Sequence, residues 1–324
     1  MELIAQKAGV SITTVSHVIN RTRHVNQSTK DAVLKVIKEL SYRSSKMIRS
    51  NGLNGNKVCI GVILADARED YYALMMKAIE TIAADYGVSV IFCDSEADYE
   101  KEVKNINLLL GQKVDGLLLA PADADRMPKT LHNTSIPVVL IDRQYESHSF
   151  LSVGINNFRS GYLGTKDLFN KQCKSIGFIG YSDPVDTIRQ RIQGYKAAVM
   201  ECNPTEFPSV LYLKYNGGDS FPLIKQFLSE KDFDGLICAT SSLCYELIEV
   251  FDTLDEKHKN RIKITCFDDN RWFDYLKYPV SVISQPVVEI GNAALENLLQ
   301  LIEQPNNACN VRRELVFETM INDR

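Results

Sequence analysis

From residue 58 onward, apolar runs of strand length alternate with amphipathic stretches of helical length. The runs predict strands at 58–64, 88–93, 114–120, 138–142, 175–180, 210–214, 234–239, 262–267 and 280–284. Helices are predicted at 71–86, 100–111, 159–171, 189–201, 220–230 and 287–303. Strands that are apolar on both faces and separated by helices are typical of parallel sheets covered on both sides. Nine or more strands favour two doubly wound α/β lobes over one sheet, with a ligand cleft where the lobes face each other.

The first twenty residues follow a different pattern. Two apolar sets recur at helical spacing, Leu3, Ile4 and Ala8 in the first and Val15, Val18 and Ile19 in the second. Gly9 lies between them and can end the first helix with a positive φ, while Ser11 is a favourable N-cap for the second. Two short helices joined by a glycine turn predict a helix-turn-helix that places its second helix in the DNA major groove. The alternative is a small helical hairpin without a DNA-binding role.

A third helix is predicted after a polar loop. It starts with a capping-box-like stretch at 28–31 and carries apolar residues on one face, at 32, 33, 36, 37 and 40. Residues 1–43 are therefore expected to form a three-helix headpiece. Residues 44–57 are polar and glycine-bearing, and are expected to form a hinge linker, with a short helical stretch at 45–50.

The remaining residues, 58–324, are expected to form the two lobes. The first lobe is expected at about 58–156 and 286–311, and the second at about 157–285 and 312–324. The last stretch, 311–324, is interpreted as one strand followed by a short tail. It contains no leucine heptad, so a dimer is expected rather than a tetramer.

The charge of the chain is unevenly distributed. Residues 1–57 hold ten Lys and Arg against three acidic residues, a net charge of +7, and the total of −4 leaves −11 for the rest. A basic head on an acidic body favours DNA binding through the head, because neutralising phosphates supplies affinity that does not depend on base sequence. A solvated lysine face would give a similar tally.

Composition indicates a soluble, cytoplasmic protein. The chain is 45% hydrophobic, no run is long enough to span a membrane, and no signal peptide opens the sequence. The eight cysteines include no C-x-x-C pair. Cys59, Cys93, Cys238 and Cys266 lie in strand-like runs and are expected to be small buried hydrophobes in a reducing compartment.

Motifs for catalysis are absent from the sequence. It contains no G-x-x-x-x-G-K-[ST], G-x-G-x-x-G or G-x-S-x-G element, and its five histidines lack metal-ligand spacing. Asp268 and Asp269 are adjacent, so their side chains should point apart. A binding role is therefore favoured over catalysis, and neither a cofactor nor a metal is expected.

Several motifs, in order along the chain, together indicate a known family. They are AGVSITTVSHVIN at 8–20, ELSYR at 39–43, VDGLLLAP at 114–121, PVVLIDR at 137–143, RIQGY at 191–195, FDDN at 267–270 and SQP at 284–286. The chain resembles the lactose/galactose repressor (LacI/GalR) family of bacterial transcriptional regulators. Residues 238–247 and 266–286 look most like its fructose and sucrose repressor branch.

The resemblance implies a homodimer whose headpieces bind a near-palindromic operator. By position in the motif, Ile12, Thr13 and His17 are expected to face base edges. Thr14, Ser16 and Asn20 are expected to touch phosphates or orient the helix. In the hinge, the resemblance places Ile48 and Asn51 at the minor groove.

Two departures from the family pattern bear on DNA binding. The usual capping Thr or Ser before the first helix is absent, which suggests that a few residues precede Met1 in the natural protein, and loss of a cap costs about 1 kcal/mol. The hinge leucine that normally wedges into the minor groove is Asn51 here. An amide can hydrogen-bond there but cannot act as an apolar wedge, unless Ile48 or Leu53 substitutes for it.

The resemblance also implies that the two lobes are of periplasmic-binding-protein type. It further implies an effector between them, a sugar or a sugar phosphate. The matching positions are Tyr72, Asp142, Arg143, Thr187, Arg189, Arg191, Thr240 and Asp268. Carboxylates can accept hydrogen bonds from vicinal hydroxyls, and an Arg fork can grip a hydroxyl-rich or anionic ligand. For Arg143 and Arg189 the alternative is a surface or interlobe salt bridge. Trp272 and Phe273 would either stack on a sugar or pack beneath the cleft.

The expected function is a repressor of carbohydrate uptake or catabolic genes that is controlled by this effector. One alternative is a regulator of the same architecture that responds to another metabolite, such as a nucleobase. Others are a two-lobed solute-binding protein and an enzyme of sugar metabolism. The basic headpiece and the missing catalytic motifs argue against the last two.

Overall fold

Strands with completely buried, apolar sequences form the centres of two sheets. The computed structural model describes residues 5, 7–11, 14, 25, 26, 28–33, 35, 36 and 58–324, without 147, 148, 183, 184, 216, 256–258, 260 and 305–313. The strands are β1 (Cys59–Leu64), β2 (Ser89–Asp94), β3 (Gly116–Leu119), β4 (Val138–Ile141), β5 (Leu151–Ile155), β6 (Ile176–Tyr181), β7 (Ser209–Leu213), β8 (Gly235–Cys238), β9 (Lys263–Phe267), β10 (Val280–Ser284), β11 (Glu314–Phe317) and β12 (Met320–Asp323).

Helices connect these strands in the alternating order that the sequence predicts. Those after residue 58 are α1 (Asp70–Tyr86), α2 (Tyr99–Gly111), α3 (Lys129–His132), α4 (Asn157–Asn170), α5 (Asp186–Cys202), α6 (Phe221–Glu230), α7 (Ser241–Phe251) and α8 (Val287–Glu303), with a 3-10 helix at Arg271–Tyr275. Side-chain N-caps fix the starts of three of the α-helices. Asp98 accepts from the Lys101 N–H, Asn156 accepts from the Arg159 N–H, and Thr240 caps α7.

The first lobe contains one six-stranded sheet, in the order β11-β5-β4-β3-β1-β2. β1 pairs in parallel with β3, β3 with β4, and β4 with β5. All four residues of β3 and of β4 are buried, because helices cover both faces. The order reverses between β1 and β3, which is the point where ligands bind in open α/β sheets.

The second lobe repeats this arrangement. Its sheet has the order β12-β10-β9-β8-β6-β7, so β6 to β10 occupy the places that β1 to β5 hold in the first sheet. A continuous apolar core surrounds β6, β8 and β9, with Phe178, Tyr195 and Phe251 among its largest fully buried side chains. The prediction of two doubly wound lobes is confirmed.

The structure differs from the sequence-based prediction in several elements. The sequence pattern did not predict β5, α3 and α7. In β5, Ser152 and Gly154 interrupt the apolar run, although Ser152 is buried. The last stretch forms two strands rather than one. β11 pairs in parallel with β5 of the first lobe, and β12 pairs antiparallel with β10 of the second. The final crossing between lobes therefore lies at Glu318 and Thr319, not at residue 312 as expected.

The described headpiece residues show how its turns are built. Gly9 has a φ of 65°, and the Val10 N–H donates to the Ala5 carbonyl at 3.0 Å, a pattern that ends a helix. Ala5 and Val33 form a small buried cluster, and Ala8, Val10 and Val25 pack against it. Of the apolar residues predicted for these helices, Leu3, Ile4, Val15, Val18, Ile19, Ile37 and Leu40 lie outside the described residues.

The third headpiece helix begins two residues earlier than predicted. The Asn26 carboxamide accepts from the Ser28 N–H at 3.2 Å, and the Asn26 carbonyl accepts from the Lys30 N–H at 2.9 Å. Asn26 is therefore the N-cap, and Ser28 is already helical.

Three cysteines meet in the core of the second lobe. Cys238 and Cys266 are register partners on β8 and β9, and Cys244 on α7 lies beside both. Burial raises the pKa of Cys238 and Cys266, so these thiols remain protonated and pack as hydrophobes, as predicted. The same prediction is wrong for Cys59 and Cys93, which are only half-buried at a strand start and on the edge strand β2.

Within the described ranges, no helix has the length and apolar composition needed to cross a membrane.

Candidate effector-binding site

A cavity lies where the carboxyl ends of strands from both lobes meet. Its space measures about 480 Å³ including the open mouth. The lining residues are Glu69, Tyr71, Tyr72, Asp142, Arg143, Tyr181, Val185, Thr187, Ile188, Arg191, Tyr215, Thr240, Asp268 and Gln285. Seven of the eight residues that the family resemblance selects for effector binding line this cavity. The eighth, Arg189, does not.

Two aspartates face this cavity from equivalent places in the two lobes. Asp142 directly follows β4, and Asp268 directly follows β9. Both have a left-handed backbone, with φ of 62° and 71°. Their N–H groups donate to corresponding carbonyls, of Val153 at 3.0 Å and of Ile283 at 3.2 Å. Asp tolerates this conformation better than most residues, and the turn directs both carboxyls into the cavity from opposite sides.

Arg191 on α5 is held rigidly in the wall of the cavity. It is 3% exposed. Its Nε donates to Asn157 Oδ1 at 2.8 Å, its Nη1 donates to the Ala239 carbonyl at 2.6 Å, and its guanidinium lies 4.0 Å from the centre of the Phe267 ring. Asp268 lies nearby and is half-buried. Its burial raises its pKa, and the charge of Arg191 opposes that rise. Arg191 is therefore a preorganised cation at the cavity wall.

A second cluster lies on the first-lobe side. The Tyr72 hydroxyl donates to Asp142 Oδ2 at 2.6 Å, and Arg143 Nε lies 3.7 Å from the same oxygen. Arg143 is 8% exposed. Burial keeps the pKa of Tyr71 and Tyr72 well above the usual value, so both hydroxyls stay protonated and can donate hydrogen bonds.

Hydrogen bonds cross the cleft beside the cavity. The Ser242 hydroxyl at the start of α7 donates to Glu69 Oε2 at 2.7 Å. The Tyr215 hydroxyl donates to Asp66, and the Asn270 amide donates to Asp70. Burial raises the pKa of Glu69 to about 7, and the nearby carboxylates of Asp268 and Asp66 add to the rise. The first lobe therefore presents a carboxyl that is close to its point of ionisation at neutral pH.

Arg189 forms an ion pair between the lobes instead of lining the cavity. Both of its terminal nitrogens lie 3.2 Å from Asp125 Oδ1, and Nη2 lies 3.4 Å from Glu146 Oε1. Its side chain is 39% exposed. Of the two roles considered for Arg189, the interlobe salt bridge is the one that the structure supports. Thr240 lines the cavity but also caps α7, accepting from the Leu243 N–H at 3.2 Å.

Trp272 and Phe273 lie outside the cavity lining. Phe273 is buried in the core of the second lobe, and Trp272 packs against it with ring centres 4.1 Å apart. Of the two roles considered for this pair, packing is the one that the structure supports.

Sequence reasoning missed several lining residues that a simple positional rule would have found. Glu69 and Tyr71 follow β1, Tyr181 ends β6, Tyr215 follows β7, and Gln285 follows β10. Each lies at the carboxyl end of a predicted strand, where ligands bind in such sheets. The two tyrosines of the second lobe pack edge to face, with ring centres 5.0 Å apart.

A buried carboxyl supports the first-lobe side of the cavity from behind. Glu102 on α2 is fully buried and accepts from the Ala122 N–H at 2.5 Å and the Tyr145 hydroxyl at 2.7 Å. The neighbouring Pro121 carbonyl accepts from Arg143 Nη1 at 3.4 Å. Glu102 thereby ties the loop after β3 to the loop that carries Arg143.

Replacing Glu102 with glutamine should change how stability depends on pH. Burial raises the pKa of Glu102 to about 7, so folding favours the protonated form of its carboxyl. The contribution of this group to the free energy of unfolding is complete below the pKa of the unfolded chain. It is lost as the pH rises through 7. Relative to Glu102→Gln, the wild-type free energy of unfolding should fall by about 3 kcal/mol between pH 4.5 and 7.5. Urea unfolding followed by circular dichroism measures it. The exposed Glu100→Gln serves as the control, and parallel pH profiles for wild type and Glu102→Gln would contradict the assignment.

On the DNA-binding side, the described part of the headpiece includes one of the residues that the family motif selects. The Thr14 N–H donates to the Ser11 hydroxyl at 3.1 Å, which confirms Ser11 as the N-cap of the second helix. Thr14 is half-buried. Ile12, Thr13, Ser16, His17, Asn20, Ile48 and Asn51 lie outside the described residues.

Comparison with known proteins identifies the family. A family profile for the periplasmic binding protein domain matches residues 60–306, and one for bacterial regulatory proteins of the lacI family matches residues 1–45. The HTH-type transcriptional regulator RegA of Clostridium saccharobutylicum is 30% identical over 307 residues, which are 93% of this chain and 92% of RegA. The chain belongs to the LacI family of bacterial regulatory proteins. This LacI-family protein is a transcriptional regulator with an N-terminal DNA-binding domain.

Other members of the family are similar over nearly the same length. The HTH-type transcriptional repressor PurR of Haemophilus influenzae is 30% identical over 303 residues, covering 92% of this LacI-family chain and 90% of PurR. The Cra transcriptional dual regulator of Pseudomonas putida, solved in complex with fructose 1-phosphate, superposes with a TM-score of 0.72 at 20% identity, over 82% of this chain and 98% of Cra. At that identity the structural likeness concerns the fold alone.

Proposed function

We propose that this regulator is a repressor of carbohydrate uptake or catabolic genes, of the fructose and sucrose repressor branch. Its operator affinity is set by a sugar or sugar phosphate in the cavity between the lobes. The observation that supports this is the convergence of Asp142, Asp268 and Arg191 on one cavity, a donor and acceptor set suited to vicinal hydroxyls. RegA and PurR support the regulatory part of the proposal.

The proposed mechanism is a shift between two lobe arrangements. A ligand that bridges Asp142 of the first lobe and Asp268 of the second adds contacts across the cleft, beside the Glu69–Ser242 hydrogen bond. It shifts the equilibrium only by its difference in affinity for the two arrangements. The hinges of a homodimer, residues 44–57, either order together on a near-palindromic operator or separate from it.

DNA recognition is assigned to the headpiece, residues 1–43. Ile12, Thr13 and His17 contact bases in the major groove, Thr14, Ser16 and Asn20 contact phosphates or orient the helix, and Ile48 and Asn51 contact the minor groove. The +7 charge of residues 1–57 supports this assignment, because phosphate contacts need cations.

Replacing His17 with alanine should relax base preference. A side chain that contacts a base edge contributes about 1–3 kcal/mol of discrimination, whereas a phosphate contact weakens binding to all sequences alike. Operator variants titrated at fixed salt should show a specificity ratio reduced about tenfold or more, with unchanged binding to unrelated DNA. An equal loss across all sequences would assign His17 to the phosphate backbone.

The proposed function is tested by fluorescence anisotropy on DNA from upstream of the protein's own gene. The titration is run at fixed salt, alone and with fructose, fructose 1-phosphate, fructose 6-phosphate and sucrose. Saturable binding that one of these sugars releases would support the repressor, its ligand class and its branch. Tight binding that is indifferent to all four would contradict the branch assignment. Absence of saturable binding would contradict regulation through this DNA.

A second candidate function is favoured by the aromatic walls of the cavity. Tyr71 and Tyr72 form an edge-to-face pair on the first-lobe side, with ring centres 5.2 Å apart, and Tyr181 and Tyr215 form another on the second-lobe side. Such walls suit a planar nucleobase as well as a sugar ring. Adding adenine, guanine and hypoxanthine to the same titration separates the two classes, since only one set of ligands should change operator binding.

A further inference from the structure

We propose that residues 66–70, which join β1 to α1, form a clasp that closes the two lobes through protein contacts and loosens as the pH rises. This inference rests on the two lobe arrangements of the proposed function. The five residues carry three carboxyls, those of Asp66, Glu69 and Asp70. Each carboxyl accepts a hydrogen bond from the second lobe, so one short segment of the first lobe makes three separate contacts across the cleft.

The donors of these hydrogen bonds come from three places in the second lobe. They lie after β7, at the start of α7 and after β9. They are the Tyr215 hydroxyl, the Ser242 hydroxyl and the Asn270 amide, which donate to Asp66, Glu69 and Asp70 respectively. All three bonds join protein atoms to protein atoms and must break when the lobes separate. The clasp therefore favours the closed arrangement by itself, and an effector in the cavity adds to it.

Asp66 is the member of the clasp whose charge is compensated within the segment. It is 1% exposed. Arg68 donates to it from Nε at 3.0 Å, from Nη2 at 2.6 Å and from its backbone N–H at 2.9 Å. Burial alone would raise the pKa of Asp66, but the hydrogen bonds from Arg68 and Tyr215 bring it below the usual value. Asp66 therefore stays ionised and accepts from Tyr215 throughout the neutral range.

Glu69 is the member of the clasp that responds to pH. Its side chain is half-buried between the lobes. Burial raises its pKa to about 7, and the hydrogen bond from Ser242 opposes the rise. The ionisable groups that face Glu69 come from its own segment and from strand ends of both lobes, and they are Asp66, Arg143, Tyr181, Tyr215 and Asp268, with Glu246 of α7 beside the same Tyr181. The two aspartates add to the rise in the pKa of Glu69, and the arginine reduces it.

Opening the lobes removes Glu69 from this environment. Its carboxyl then returns to water and to its ordinary pKa, so the closed arrangement favours the protonated form and the open arrangement favours the carboxylate. The contribution of Glu69 to closure is therefore complete below the ordinary pKa of a glutamate and is lost as the pH rises through 7. Between pH 6 and pH 8, the ratio of closed to open chains should fall by about tenfold.

The test uses the fluorescence of Trp272, the single tryptophan of the chain. Its N–H donates to Asn270 Oδ1 at 3.3 Å, and the Asn270 amide donates to Asp70, so release of the clasp frees the turn that carries Trp272. Acrylamide quenching is measured on the full chain, without operator DNA or sugar. In the double variant Asp70→Ala/Ser242→Ala, the quenching constant should rise about twofold over the wild type. Neither substituted residue lines the cavity, so the change reports closure rather than a lost effector contact.

A matched variant and a second measurement separate closure from local effects. Glu289→Ala also removes an exposed acidic residue from the first turn of a long helix, α8, and should leave quenching unchanged. Small-angle X-ray scattering should give a larger radius of gyration for Asp70→Ala/Ser242→Ala than for the wild type or Glu289→Ala. An unchanged radius of gyration in the double variant would overturn the clasp, whatever the quenching shows.

The pH dependence is tested in Ser242→Ala, in which the clasp is weakened but Glu69 remains. Quenching should increase between pH 6 and pH 8, and adding Glu69→Gln should remove the increase because the amide stays neutral. Glu102→Gln, which removes another carboxyl with a pKa of about 7, should retain it. No increase in Ser242→Ala, or the same increase after Glu69→Gln, would overturn the role of Glu69. The sugar titration on operator DNA tests the proposed function separately, so either result here would leave that function standing.

Discussion

Arg191→Ala is expected to abolish the response to effector, with a loss of affinity of more than about 100-fold, while operator binding in the absence of effector is retained. Arg191 is a buried cation at the cavity wall, beside Asp268. Its removal takes away the proposed ligand contact and leaves Asn157 Oδ1 and the Ala239 carbonyl without their donor. A buried acceptor left unsatisfied costs about 1–3 kcal/mol. Calorimetric titration with the effector and anisotropy with operator DNA measure the two activities separately.

Two further variants separate the loss of a ligand contact from loss of structure. Lys196→Ala lies on the same helix with an exposed side chain and should change neither activity. Arg191→Lys keeps the charge but cannot direct two nitrogens to Asn157 and Ala239 at once, so it should bind effector weakly and remain folded. Full effector affinity in a folded Arg191→Lys or Arg191→Ala chain would remove Arg191 from the site.

Gly194→Ala is expected to destabilise the second lobe by about 3 kcal/mol or more. A Cβ at this position would lie 2.0 Å from the Phe158 carbonyl oxygen and 2.7 Å from the Tyr162 nitrogen. Both are backbone atoms of α4, which cannot rotate away, so the helices must separate. Since α5 also carries Arg191, separation should weaken effector binding as well. Thermal unfolding and effector titration measure the two effects.

The same crossing can be tested from the other helix. A Cβ on Gly161 of α4 would lie 2.2 Å from the Arg191 carbonyl, so Gly161→Ala should be similarly destabilising. Gly111, at the end of α2, has nothing within 4 Å of a Cβ, and Gly111→Ala should leave stability unchanged or raise it slightly. Equal stabilities for Gly194→Ala and Gly111→Ala would show that α4 and α5 are not in backbone contact.

Much of the fold could be predicted because consecutive apolar residues mark strands buried on both faces. The runs around Leu117 and Val139 are examples, and they form the centre of the first sheet. The pattern failed where burial does not require apolar residues. Ser152 is buried within β5 because neighbouring strands flank it, and β11 joins the first sheet although its burial alternates along the strand.

For the candidate site, the family motif selected residues by position but could not say what each side chain contacts. Arg189 and Arg191 lie two residues apart on one helix, yet one pairs with Asp125 across the lobes and the other faces the cavity. That difference depends on the first lobe's surface, which no local pattern encodes. The places of Glu69 and Tyr215 after β1 and β7 could have been selected from the sequence, but their hydrogen bonds to Ser242 and Asp66 arise only when the two lobes meet.

The path of the chain through the two lobes sets a rule for protein engineering. The chain passes from one sheet to the other after β5, after β10 and between β11 and β12, and its last two strands each supply an edge, one to each sheet. A chimera that exchanges a whole lobe with a relative therefore needs three splice points, near residues 156, 285 and 318. A chimera joined at a single point would combine a sheet from one parent with an edge strand from the other.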